Sequence, residues 1–375
     1  MTKNIVLYSS GLGYINRGLE TFTQELYEAI ANKKTINVVL YQGRGIKING
    51  SSEIWSLRRN LSIYNIKPFH LLKPKSYRIE NVIFSIPIVL DCYRNSNRII
   101  HFSESITANI LFKIRKIFGG NFKLVFSNGG PVSPRHYQKY DYVQVLTPSQ
   151  YQEALDSGYP EEQLFLIPYG LNCKLFSQTI SAEERRKQRQ LFNLPCDRQI
   201  IVSVGAVNKY HKRMDWLLQE FAFLDPQKYF LWIVGQTETE TKSVVKLAET
   251  LLNSNSYKFD TVDYSQIPTV YKISDYFTLA SLKEGFGRVY LEAMASGLPV
   301  IAHHNKNTEW ILGEDNIGLI DMTKNGTLRN KINYLEFDSL KKKQQGTSNQ
   351  SRAIDRFDWK NVSDLYLSMY EQISV

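Results

Sequence analysis

Glu284-Gly-Phe-Gly-Arg-Val-Tyr-Leu-Glu-Ala-Met-Ala-Ser-Gly-Leu-Pro-Val300 is the stretch on which the reading of this chain turns. Glu284 and Glu292 stand eight positions apart. Gly285 and Gly287 permit a tight turn that opens a helix at Arg288, where unpaired N–H groups and the helix dipole attract anionic or hydroxyl-rich ligands. At 3.6 residues per turn Glu292 falls about one turn inside that helix. A carboxylate there suits vicinal hydroxyls such as those of a ribose, and Glu284, before the turn, is expected to face a ligand cleft. Two solvated glutamates around a glycine turn are the plain alternative for an isolated pair; the length of the run weighs against it.

Outward from this stretch the chain alternates strands and helices. In the second half the strands are Gln199–Gly205, Tyr229–Val234, Thr278–Ala280 and Pro299–Ala302, with helices at Met214–Phe223, Ser243–Leu252 and Arg288–Ala295. The first half repeats the plan, with strands at Asn4–Tyr8, Asn37–Tyr41, Arg98–Phe102, Lys123–Phe126 and Asp141–Leu146 and helices at Gly18–Asn32 and Ala108–Ile117. Leu19, Phe22, Leu26 and Ile30 give the first helix its apolar spacing, and Thr147-Pro148 starts another in cap-and-N1 fashion. The alternation predicts an α/β fold of two Rossmann-like domains, with parallel sheets facing a central cleft. The expected domains are 1–178 and 179–358, the linker falling in the charged stretch after Gln178, followed by a terminal helical segment, 359–375.

At 375 residues the chain exceeds what one core usually serves, and 43% hydrophobic with 22% charged residues excludes a disordered chain. No apolar run reaches the ~18 residues of a membrane span. The start of the chain shows no signal-peptide pattern, so a cytoplasmic protein is expected. Cys92, Cys173 and Cys196 have no metal-ligand spacing and read as free thiols. The charge is lopsided: residues 1–175 hold 21 Lys and Arg against 12 Asp and Glu, whereas 176–375 hold 25 against 24. A basic first half suits an anionic partner, and the segment 42–79 followed by apolar Val82–Leu90 offers peripheral contact with an anionic membrane and an acceptor side for a lipid-linked or anionic acceptor. A buried helix with merely solvated lysines is the alternative. No stripe of alternating basic and aromatic residues marks a nucleic-acid groove, so nucleic acid is not an expected partner.

The run from Ser281 through Ala302 resembles the E-x7-E motif of glycosyltransferase family 4, retaining enzymes of the GT-B fold. Val204-Gly205 through His211-Lys-Arg-Met-Asp-Trp-Leu217, Ile233-Val-Gly235, Ile167-Pro-Tyr-Gly-Leu-Asn172 and Arg17-Gly-Leu-Glu-Thr21 are similar to other blocks of that family. The resemblance implies a nucleotide diphosphate sugar as donor, a UDP-sugar foremost, and transfer with retention to a hydroxyl of a glycan, glycolipid or small molecule. It places Glu284 at the donor sugar, the backbone of Phe286 and Gly287 at sugar hydroxyls and phosphate, Glu292 on the ribose and Lys212 on the diphosphate. A fixed cation stabilises the charge that grows on the leaving group. Gly18 either lets the backbone approach the phosphates or simply caps a turn.

Two positions depart from the family pattern. Ala206 stands where an arginine is frequent, and Lys209 or Arg213 is left to compensate. Asn128, in Phe126-Ser-Asn-Gly-Gly-Pro131, stands where a histidine commonly contacts the transferred sugar. An asparagine can bond a hydroxyl but takes no proton at neutral pH. No D-x-D pair suits a divalent metal, so neither metal nor cofactor is expected, and Gly11-Leu-Gly13 with Gly18 does not have dinucleotide spacing. A sugar-nucleotide epimerase or glycan phosphorylase on the same fold, and a non-catalytic binding protein docking through the basic half, are the competing readings.

Overall fold

The computed structural model describes residues 3–15, 18–95, 97–130 and 132–373. Arg17 and Pro131, read from sequence as parts of the glycine loop and the strand-end turn, lie outside them. The chain forms two units, Met1–Gly170 with Trp359–Val375, and Leu171–Asp358. The division falls at Gly170–Leu171 instead of 178–179. Leu171 N donates to Phe357 O at 2.7 Å, and the short helix Cys173–Ser177 buries Phe176 against Tyr271, so these residues pack with the second unit. The terminal helix Trp359–Gln372 belongs to the first, where Trp359 Nε1 donates to Glu25 Oε2 at 2.7 Å.

The first unit is built on a seven-stranded sheet: β1 (Lys3–Ser9), β2 (Ile36–Gln42), β3 (Ser52–Glu53), β4 (Arg98–Phe102), β5 (Phe122–Asn128), β6 (Tyr142–Val145) and β7 (Leu164–Leu166). Its order is β3-β2-β1-β4-β5-β6-β7, all pairs parallel. The second unit has six strands: β8 (Gln199–Val204), β9 (Tyr229–Val234), β10 (Tyr257–Asp260), β11 (Tyr276–Leu279), β12 (Val300–His303) and β13 (Leu319–Ile320). Their order, β10-β9-β8-β11-β12-β13, is again parallel throughout. Helices cover both faces of such sheets, which is why β9, Tyr-Phe-Leu-Trp-Ile-Val, is buried at every position. In each sheet the strand order reverses at one place, between β1 and β4 and between β8 and β11. Loops leaving the strand ends there splay apart and leave room for a ligand.

Two segments decide more than the sequence suggested. Val82–Leu90 lies in a helix, Ser76–Arg94, that buries Phe84, Ile88 and Cys92 and leaves Val82, Ile86 and Leu90 exposed. Of the irregular stretch before it, Ser62–Asn65 and Phe69–Lys75 are 3-10 helices. Among the described residues no helix is long and apolar enough to cross a membrane.

Candidate functional site

The loops that leave β8 and β11, the two strands at the switch point of the second sheet, bring Lys212 and Glu284 together. Lys212 Nζ lies 2.6 Å from Glu284 Oε1, with 14% and 10% of the side chains exposed. The first loop is wound on Asn208. Its Oδ1 accepts from the backbone N–H groups of His211 (3.1 Å) and Lys212 (2.7 Å), its carbonyl accepts from Met214 N, and its Nδ2 donates to Glu238 Oε2 at 2.8 Å. Glu240 Oε2 accepts from Lys209 N and Tyr210 N, and these backbone hydrogen bonds hold its carboxyl below the usual range. Beside this loop lies an open pocket of about 620 Å3, lined by Asn208, Tyr210, His211, Glu238, Thr239 and Glu240. The aliphatic stem of Lys212 lies along Gly205, where an added Cβ would stand 3.2 Å from Lys212 Cε.

The second loop ends on Gly287, at φ +78°, which caps the helix Arg288–Ala295. A Cβ at Gly287 would meet the Tyr290 ring at 2.6 Å, so only glycine fits both the dihedral and the space. The Phe286 side chain is buried against Trp310 and Phe357, which leaves its backbone as the part able to meet a ligand. Burial, helped by the negative charge of Glu284, raises the Tyr290 hydroxyl well above its ordinary pKa.

Glu292 is buried on the next turn of that helix and held from three sides. Its Oε2 accepts from the Tyr271 hydroxyl at 3.0 Å, and its Oε1 accepts from the Tyr264 hydroxyl at 3.2 Å and Arg288 Nε at 3.3 Å. Arg288 also donates to the Tyr264 hydroxyl at 3.0 Å. Donors from two other segments of the chain and from its own helix thus fix the plane of the carboxylate. Tyr271 and Arg288 were not singled out from sequence; the Arg288–Glu292 spacing, four apart on one helix face, was the available signal.

Arg213 is not part of the Lys212–Glu284 pair. It sits in the left-handed region at φ +50°, and its guanidinium donates to the carbonyls of Met322 (2.9 Å) and Ala280 (3.3 Å) and stacks on Trp216. Those bonds tie the ends of the sheet together.

In the first unit Asn128 ends β5 and is buried. Its Nδ2 donates to the Tyr137 hydroxyl at 2.5 Å and to Val132 O at 3.3 Å, an arrangement that shapes the turn it starts. Gly18 opens the helix Gly18–Ile30, and a Cβ added there meets nothing within 4 Å, so packing does not require the glycine. The switch point of this sheet carries a network that sequence reasoning missed. Glu104, just after β4, accepts from Ser10 N at 2.9 Å and Ser9 Oγ at 3.1 Å. Arg59 donates from Nη2 to Ser10 Oγ at 2.8 Å and from Nε to Glu80 Oε2 at 2.5 Å, and its guanidinium covers the Tyr77 ring. Glu80 also accepts from the Tyr14 hydroxyl. Burial raises the carboxyls of both Glu80 and Glu104.

Residues 184–353 match the family described as Glycosyl transferases group 1. The chain is 33% identical over 250 residues to spore coat protein SA of Bacillus subtilis (strain 168), an alignment that covers 61% of this chain and 65% of that protein. It is 22% identical over 253 residues to the lipopolysaccharide core biosynthesis glycosyltransferase LpsE of Rhizobium meliloti (strain 1021), covering 67% of this chain and 70% of that one. The match thus spans less than two thirds of the length of spore coat protein SA. The fold is similar along 99% of this chain to Anabaena HepE, in a complex with UDP (TM-score 0.76, 17% identity, 100% of that chain) and in one with UDP-glucose (TM-score 0.76, 16% identity, 100% of that chain). The chain therefore has two Rossmann-like domains of the GT-B kind, and the match to the glycosyl transferases group 1 model lies within its second unit.

Proposed function

We propose that the chain transfers a sugar, with retention, from a nucleotide diphosphate sugar to an acceptor hydroxyl, and that the donor lies on the second unit. The observation that carries this is the Lys212–Glu284 pair at the switch point, with the clamped carboxylate of Glu292 on the helix that follows Glu284. A neutral pair of opposite charges is poised for a ligand that brings its own anion. Glu284 takes one of the three N–H bonds of Lys212, so the ammonium can turn its others to a diphosphate while staying oriented. Glu292 then meets the ribose hydroxyls, and the N–H groups around Gly287 face the sugar and phosphate. UDP is the first candidate nucleotide, because HepE is a fold neighbour bound to UDP and UDP-glucose.

In the reaction the bond from the sugar's anomeric carbon to the diphosphate oxygen breaks and a bond to the acceptor oxygen forms on the same face. The acceptor proton passes to a diphosphate oxygen. What the protein supplies is position and a cation at the leaving group, the two contributions that matter most when no side chain forms a covalent intermediate. This chemistry asks for no metal or organic cofactor, since Lys212 meets the charge.

Incubating the chain with UDP-, GDP- and ADP-sugars and following the anomeric signals by NMR tests the proposal. Slow release of free sugar that first appears in the donor's own anomeric configuration is expected. Release with the opposite configuration would remove retention, and conversion of a donor to its epimer would replace transfer by epimerisation.

A further inference from the structure

We propose that the segment Asn65–Lys75 and the open face of the helix Ser76–Arg94 form a docking surface for an anionic lipid bilayer. Every residue from Asn65 to Lys75 is exposed, among them Ile66, Phe69, Leu71 and Leu72, with Leu71 at 69%. Apolar side chains so presented cost hydration free energy unless something covers them. The 3-10 helix Phe69–Lys75 runs without a break into Ser76–Arg94, where Val82, Ile86, Leu90 and Tyr93 are exposed. At 100° per residue these four share one face, and Arg78 continues it toward the helix N-terminus. The opposite face, with Phe84, Ile88 and Cys92, is buried in the first unit, so the exposed stripe is not the side that holds the helix to its sheet.

Charge decides what covers this face. Between Glu53 and Glu80 the sequence has no Asp or Glu and carries Arg58, Arg59, Lys67, Lys73, Lys75 and Arg78. Arg59 is spent inside, on Glu80 and Ser10. Lys67, Lys73 and Lys75 stand exposed beside the apolar tips, and among the described residues none of the three is in an ion pair. Leucine and phenylalanine tips ringed by lysines match the bilayer interface, where the apolar groups enter the acyl boundary and the ammonium groups meet anionic headgroups. A soluble partner protein would meet the same lysines with carboxylates but would not call for so many separate apolar tips.

Co-sedimentation of the full chain with phosphatidylglycerol vesicles, with phosphatidylcholine vesicles as the neutral reference, tests this. Binding to the anionic vesicles at low salt, falling as salt rises, is expected. The triple variant Lys67→Ser, Lys73→Ser, Lys75→Ser should lower partitioning by at least tenfold, since each lysine near an anionic surface is worth about fivefold. Leu71→Ser with Leu72→Ser should lower it as well. All five side chains are exposed, so melting temperature and nucleotide-induced stabilisation should stay unchanged in both variants; this keeps the outcome separate from that of the donor proposal. Absence of binding at low salt, or binding indifferent to both variants, overturns the proposal. So does a dimer in light scattering that the leucine variant dissociates while vesicles bind neither form, because the face then belongs to a second copy of the chain.

Discussion

Lys212 Nζ lies 2.6 Å from Glu284 Oε1, although 72 positions separate the two residues. Parallel sheet topology explains the meeting: β8 and β11 are hydrogen-bonded neighbours, and both loops leave from the same edge. Neither side chain is fully buried, so the pair is open to a ligand while still protected from most of the surrounding water. We expect Lys212→Ala to lower the rate of sugar transfer by about 10²–10³-fold, the usual loss when a group aimed at developing charge is removed. Affinity for the nucleoside diphosphate should fall less. Arg213→Ala should instead lower the melting temperature, because its guanidinium holds the carbonyls of Ala280 and Met322. Steady-state kinetics and thermal melting of the two variants check this. Normal transfer by Lys212→Ala with an inactive, fully stable Arg213→Ala would show that the cation had been misassigned.

The clamp on Glu292 gives a second prediction. Tyr271→Phe removes one donor to its carboxylate, and Arg288→Ala removes another together with the bond to Tyr264. A hydrogen bond to a charged group contributes about 1.5–3 kcal/mol. Either variant should raise KM for the donor by about tenfold or more and leave kcat nearly unchanged, since the ribose is bound equally in the ground and transition states. Arg288→Lys should recover part of the loss. An unchanged KM in both variants would mean that Glu292 does not need its clamp to hold the donor.

Two glycines should behave in opposite ways. Gly287→Ala forces a side chain into φ +78° and against the Tyr290 ring, so a loss of about 1–3 kcal/mol of stability is expected, with activity lost too. Gly18→Ala meets open space and should leave stability unchanged. Denaturant titration of the two variants checks this.

Acid should weaken the first unit through His101. The ring is buried on β4 with Nδ1 2.7 Å from the Tyr370 hydroxyl, and burial lowers its pKa to about 3. The ordinary value is near 6.5, so between about pH 6.5 and 3 the unfolded chain binds a proton that the folded chain refuses. The stabilisation is full above the unfolded pKa and is lost as pH falls, at about 1.4 kcal/mol per pH unit within the window. The raised carboxyls of Glu80 and Glu104 act in the opposite sense, but they are common to the wild type and a His101→Gln variant. Unfolding free energies of the two proteins at pH 7, 6 and 5 should therefore converge on acidification. Parallel profiles would contradict a neutral buried histidine.

Much of this fold was legible, for physical reasons that also explain what was not. Parallel strands buried on both faces must be apolar throughout, so Tyr229–Val234 could be read to its ends. Arg288–Ala295 was legible because a glycine turn opens it and Gly297 follows it. The helix Ser339–Phe357 was missed because it docks through polar groups. Gln345 Nε2 donates to Val300 O at 3.0 Å and Asn349 Nδ2 to Leu298 O at 2.9 Å, leaving no apolar periodicity to detect. Lys212 and Glu284 were named separately, but only topology could place them in contact. The Arg59–Glu80–Glu104 network stayed hidden for the same reason, its members coming from three distant segments. Asn128 was read from its place in the family pattern, which carries no hint that the Tyr137 hydroxyl and Val132 O accept from its amide nitrogen.

Calorimetric titration of the full chain with UDP, GDP and ADP, repeated with Lys212→Ala and Glu292→Ala, tests the central claim most directly. The account predicts saturable binding of at least one of the three, UDP foremost, and weaker binding of that nucleotide by both variants. No heat of binding for any of them at millimolar concentration, or an affinity that neither substitution changes, would contradict it.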